Sequence, residues 1–77
     1  MNFPLYRKLS HNKTFYRINS LTDFDEIMLI GKRVKLMHTE ALQYPEKLKI
    51  LDMVHQTDSA YLAMEQNEWD NLFSQLS

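Results

Sequence analysis

The chain is 77 residues long, 44% hydrophobic and 12% aromatic, with a formal net charge of −1 and no cysteine. That composition excludes a disordered chain and removes disulfide staples, thiolate metal sites and thiol nucleophiles together. A single glycine excludes Walker-type and dinucleotide phosphate loops, and the length suffices for one domain, residues 1–77, that buries only roughly 60–65% of its unfolded surface.

The first predicted element is a hairpin. Pro4 to Leu9 and Thr14 to Asn19 flank Ser10-His11-Asn12-Lys13, and Asn tolerates the positive φ of a tight turn. With His11 and Asn12 as turn residues, Leu5 faces Ile18 and Arg7 faces Tyr16; a one-residue slip would set Arg7 against Arg17, which like charges disfavour. Alternation then places Leu5, Arg7, Leu9, Tyr16 and Ile18 on one face and Tyr6, Lys8, Phe15 and Arg17 on the other.

Ser20-Leu21-Thr22-Asp23 is a polar break. The segment from Asp25 to Leu42 admits two readings. Thr22 followed by Asp25 and Glu26 can cap a short helix with Phe24, Ile27 and Met28 on one side. Alternatively, Gly31-Lys32 is the two-residue turn of a second hairpin, with Gly first as type II′ requires. Ile27, Leu29, Val34 and Leu36 then form a wholly apolar face, opposite Glu26, Met28, Ile30, Arg33, Lys35 and Met37. That clean division favours the hairpin, which sets Asp25 opposite His38.

Pro45 marks a loop. Lys47 to His55 alternates and predicts a central strand, with Leu48, Ile50, Val54 and Asp52 on one face and Leu51 and Met53 on the other. Gln56-Thr57-Asp58-Ser59 is turn-like, and Ala60 to Met64 reads as a short strand. In the last segment Asn67 can cap a helix whose first turn carries Glu68 and Asp70. Trp69, Leu72, Phe73 and Leu76 make one apolar stripe. A helix this short needs an apolar partner. The fold class expected is therefore α+β: an antiparallel β-meander of five or six strands, curled or barrel-like, with one C-terminal α-helix packed on the sheet.

The stretches "FPLYRKLSHNKTFYRI", "EIMLIGKRV" and "QYPEKLKILDM" resemble a family of small bacterial proteins that has no assigned function. The resemblance spans most of the chain and implies a bacterial, stand-alone domain; it brings no catalytic or binding residue with it. The N-terminus lacks the pattern of a secretory signal. The longest apolar run, Ile27-Met28-Leu29-Ile30, is far below the ~20 residues of a membrane span. A cytoplasmic protein without membrane contact is expected.

Two surfaces are candidates for function. The N-terminal hairpin carries Arg7, Lys8, Lys13 and Arg17 with Tyr6 and Phe15 among them, a pattern that can neutralise phosphates and stack bases. All nine Lys and Arg fall in residues 1–49 against five acids, a net of +4, while residues 50–77 hold five acids and neither Lys nor Arg. That acidic second half, and a pI near 6.3, count against a polyanion. The second candidate comprises the mixed faces of the second hairpin (Met28, Ile30, Met37) and of the predicted strand (Leu51, Met53), which offer more apolar area than one short helix covers; if exposed, they read as a protein interface, with a homodimer as the first expectation. Arg7 and Asp52, each on an apolar face, either meet across it or sit at sheet edges. A zinc site would need three converging ligands, and His38, Asp25 and Glu40 supply them only if Glu40 curls back, so His38 reads as a surface histidine bonded to a carboxylate. His11 reads as a turn residue. No metal, no cofactor and no enzymatic activity are expected; the reading is a protein-interaction or self-associating module, with nucleic-acid binding as the alternative.

Overall fold

Four strands follow one another: β1 (Leu5–Leu9), β2 (Thr14–Ser20), β3 (Asp23–Ile30) and β4 (Arg33–Glu40). The computed structural model describes residues 2–57 and 59–76; Asp58, within the predicted turn, lies outside the described residues. β1 and β2 pair antiparallel with Leu5 opposite Ile18 and Arg7 opposite Tyr16, and Asn12 takes a φ of 60° in the turn between them. β3 and β4 pair with Ile30 opposite Arg33, Ile27 opposite Leu36 and Asp25 opposite His38. Gly31, at φ 60°, supplies the left-handed first turn position that other residues adopt only at a cost. Residues 23–30 are thus strand rather than a capped helix.

The segment after Pro45 is helix α1 (Glu46–His55), which corrects the predicted central strand. Ile50, Met53 and Val54 are buried, and their i, i+3, i+4 spacing makes one helical stripe. Leu48 and Leu51 lie on the exposed side, and each, with the buried residue two positions on (Ile50 and Met53), gives the sequence its false period of two. Asp52 is exposed on the helix, where the Thr57 hydroxyl donates to its carboxylate at 3.0 Å.

β5 (Tyr61–Ala63) pairs antiparallel with β1, so the sheet order is β4-β3-β2-β1-β5. The last strand therefore lies beside the first, and the sheet departs from a simple meander. Helix α2 (Gln66–Phe73) follows and ends in a 3-10 turn (Ser74–Leu76). Its N-cap is the extended Glu65 rather than Asn67, because the Glu65 carbonyl already accepts from the Glu68 and Trp69 amides at 3.1 and 3.5 Å.

Both faces of β2 carry a buried apolar residue, Tyr16 and Ile18 on one and Phe15 on the other, and each receives a helix. On one face Tyr16, Ile18 and Phe24 pack with Ile50, Met53 and Val54 of α1. On the other, Phe15 and Ile27 pack with Met64 and Trp69, with Leu72 and Leu76 at the margin. The fold is α+β with one open five-stranded antiparallel sheet. It is not barrel-like, and the described residues form two α-helices instead of one. A helix on each face leaves no inner face for a barrel to enclose.

Candidate functional site

Alternation along β1 and β2 puts Tyr6, Lys8, Phe15 and Arg17 on the face that α2 covers. Phe15 is buried and Trp69 lies against it. Tyr6 meets Trp69 with ring centroids 6.2 Å apart. Lys8 pairs with Glu68 at 3.3 Å. Arg17 donates to Asp25 Oδ2 at 2.7 and 3.2 Å, and its guanidinium stands 5.3 Å from the Trp69 ring and 5.8 Å from that of Phe73. Arg7 points to the opposite face and Lys13 is exposed in the turn. Four of the six basic and aromatic residues therefore come together, but beneath a helix, engaged with Glu68 and the rings of that helix and with Asp25 of β3.

Asp25 joins the two inner strands to the edge strand β4. It is 7% exposed and accepts from Arg17, from Asn19 at 3.0 Å and, at 2.6 Å, meets Nδ1 of His38. Burial alone would push its carboxyl upward; the hydrogen bonds from Asn19, His38 and Arg17 outweigh that and hold it below its ordinary value. The same bond to Asp25, against a smaller desolvation and helped by the charges of Asp23 and Glu40, raises His38 above its ordinary value. His38 Nε2 lies 3.8 Å from Asp23, whose carboxylate also accepts from Asn19 at 3.2 Å and from the Ser20 hydroxyl. Among the described residues no group of three or more His, Asp or Glu side chains is placed to hold a metal ion. The network is a charged clasp between β3 and β4.

The opposite face of the β3–β4 hairpin carries the second set of candidates. Met28 is half-buried, Ile30 is 55% exposed and Met37 is 42% exposed. They stand among Arg33 and Lys35, both exposed. Leu51 is exposed on α1, a different element from these three, and Met53 is fully buried in the core. Met53 thus belongs to the core rather than to the candidate interface, because a helix, not a strand, carries it. Between α1 and this face runs a cleft of about 270 Å³ lined by Phe24, Glu26, Thr39, Pro45, Glu46 and Lys49. The Lys49 ammonium, among its lining groups, lies 5.1 and 5.5 Å from the rings of Tyr16 and Phe24.

Sequence reasoning missed two parts of this surface. Leu42, Tyr44 and Leu48 are exposed beside the entry to α1; their signal was the Pro45 helix start, hidden by the alternation that follows. Leu36, assigned to the apolar face, is 40% exposed, because β4 is the last strand of the sheet. Comparison of the chain with family models, with curated proteins and with solved structures finds no match.

Proposed function

We propose that the chain is a non-enzymatic protein-interaction module whose contact surface is the outer part of the β3–β4 hairpin. One observation carries the reading. Ile30, Leu36 and Met37 expose apolar side chains around a strand that ends the sheet, with Met28 beside them. A strand edge offers unpaired backbone donors and acceptors, and apolar side chains beside it add buried area when a partner strand docks. Met side chains adapt to irregular contacts. We place the module in a reducing cytoplasm, where a chain without cysteine forgoes no disulfide.

A photo-crosslinking side chain at Ile30 or Met37 tests this, with Asn71 on the far helix as control. Irradiation of the full chain in cells should join Ile30 and Met37 to a defined protein, identified by peptide sequencing and reproduced with that protein purified. Equal adducts from Asn71, or none from the hairpin, overturn the reading.

Nucleic-acid binding through Tyr6, Arg7, Lys8, Lys13, Phe15 and Arg17 has less support. Phe15 is buried, and Lys8 and Arg17 already pair with Glu68 and Asp25. A single-stranded oligonucleotide titrated at low salt should give a flat response; binding that weakens steeply with salt would reverse the preference.

A further inference from the structure

Resting on the reading of the β3–β4 hairpin as the contact surface, we propose that its partner is a second copy of this chain. The two β4 edges pair antiparallel about Met37 and join two five-stranded sheets into one.

Ile30 and Arg33 flank the two-residue turn and form its closing hydrogen-bonded pair. Along β4 the backbone groups of Arg33, Lys35, Met37 and Thr39 therefore bond inward to β3. Those of Val34, Leu36, His38 and Glu40 point away from the sheet. The amide of Ala41 bonds inward to the Thr22 carbonyl at 2.7 Å, in phase with this alternation. Among the described residues no strand pairs with the outer edge, and β4 contains neither proline nor glycine to interrupt it.

Symmetry limits how two copies can meet. Only a two-fold axis perpendicular to the sheet joins two β4 edges antiparallel with the two bodies on opposite sides. That axis keeps the faces of the sheet aligned, so it passes beside a single residue of β4. An axis at Lys35 sets two ammonium groups opposite, and one at His38 sets two imidazoles opposite; like charges there are unfavourable. At Leu36 the two Lys35 side chains become diagonal neighbours at roughly 7 Å. At Met37 the two thioether chains face each other, Lys35 faces Thr39, Leu36 faces His38 and Val34 faces Glu40. Here the two His38 rings are diagonal, but each is held toward β3 by its own Asp25 at 2.6 Å.

Charge supports the same partner. The turn end of the hairpin bears Lys32, Arg33 and Lys35, all exposed; the other end bears Asp23 and Glu40. Antiparallel pairing lays the basic end of each copy beside the acidic end of the other, twice over. Parallel or same-end arrangements oppose like charges.

The absence of cysteine makes the test clean. In Met37→Cys the sole thiols of two copies face each other as a non-hydrogen-bonded pair, within disulfide reach. Mild oxidation should link M37C at least about tenfold faster than N71C at equal concentration, since pairing raises the effective thiol concentration. Sedimentation of the native chain should show the mass rising from 9.3 kDa toward twice that value with concentration, and high salt should shift the rise to higher concentration. A native chain that stays at 9.3 kDa up to about 1 mM, the range of the weakest specific complexes, overturns the proposal. So does a dimer in which M37C links no faster than N71C. If the crosslinker at Met37 captures only another protein, the second copy is refuted while the contact surface stands; if it captures nothing, both fall.

Discussion

Arg7 holds the end of helix α1: its Nε donates to the carbonyl of Met53 at 2.9 Å. Nη2 donates to the Val54 carbonyl at 3.2 Å, and Nη1 to the Tyr6 carbonyl at 2.8 Å. The last carbonyls of a helix have no partner within it, and a cation is favoured there. Burial lowers the Arg7 pKa, yet a guanidinium stays charged. A cation on an otherwise apolar strand face is thus explained by a helix end rather than by Asp52. Arg7→Met keeps the packed stem and removes every donor. It should lower stability by about 1–3 kcal/mol, seen as a lower urea midpoint at unchanged slope. An unchanged midpoint would show that solvent serves α1 equally well.

The clasp of His38 and Asp25 sets a pH window. The folded pKa of His38 lies above the 6.5 of its unfolded form; its contribution is complete below that value and is lost as pH rises through the raised folded pKa. The folded pKa of Asp25 lies below its unfolded 3.8; its contribution is present above that value and is lost as pH falls through the depressed one. Their joint contribution is largest between 3.8 and 6.5. In an NMR titration the His38 ring should therefore change charge above pH 6.5, and Asp25→Asn should bring the midpoint down. A midpoint indifferent to Asp25→Asn would break the assignment.

Two ion pairs lie on the same face and differ in burial. Asp25 is buried and takes two bonds from Arg17, whereas Glu68 meets Lys8 once at 3.3 Å on a half-exposed surface. Glu68→Gln should change stability by less than about 1 kcal/mol. Asp25→Asn should cost more, about 1–3 kcal/mol, because Arg17 and Asn19 lose a charged acceptor. Equal costs in chemical denaturation would mean that burial does not separate them.

Trp69 is the only tryptophan and is fully buried against Phe15, Ile27 and Met64. Trp69→Ala should cost about 3–5 kcal/mol, a large part of the stability of so small a protein. Among the described residues Trp69 Nε1 has no hydrogen-bond partner, so Trp69→Phe sacrifices no such bond and should cost clearly less. Native fluorescence should be blue-shifted and resist a soluble quencher. Emission at the wavelength of free tryptophan would remove α2 from the sheet.

The two hairpins were legible because local chemistry and alternation agree there. Asn12 and Gly31 occupy left-handed positions, and each pairing separates apolar from polar side chains. Helix α1 was not legible. Leu48 with Ile50 and Leu51 with Met53 satisfy period two as well as Ile50, Met53 and Val54 satisfy the helical period, and only tertiary packing on Tyr16, Ile18 and Phe24 decides between them. The candidate site meets the same ambiguity: Met28, Ile30 and Met37 share one face of the hairpin, as its register implies, while Met53 belongs to the core because a helix carries it. The cover over Tyr6, Lys8, Phe15 and Arg17 depends on which face α2 chooses, and that choice follows from a long-range contact no local pattern encodes.

Residue-resolved amide exchange tests most directly whether β4 leaves a usable edge. At high dilution the amides of Lys35, Met37 and Thr39 should exchange slowly and those of Leu36 and His38 quickly; as concentration rises, the fast pair should become slow. Uniform protection across β4 at the highest dilution would contradict the open edge, and a fast pair that stays fast at every concentration would leave it without a second copy.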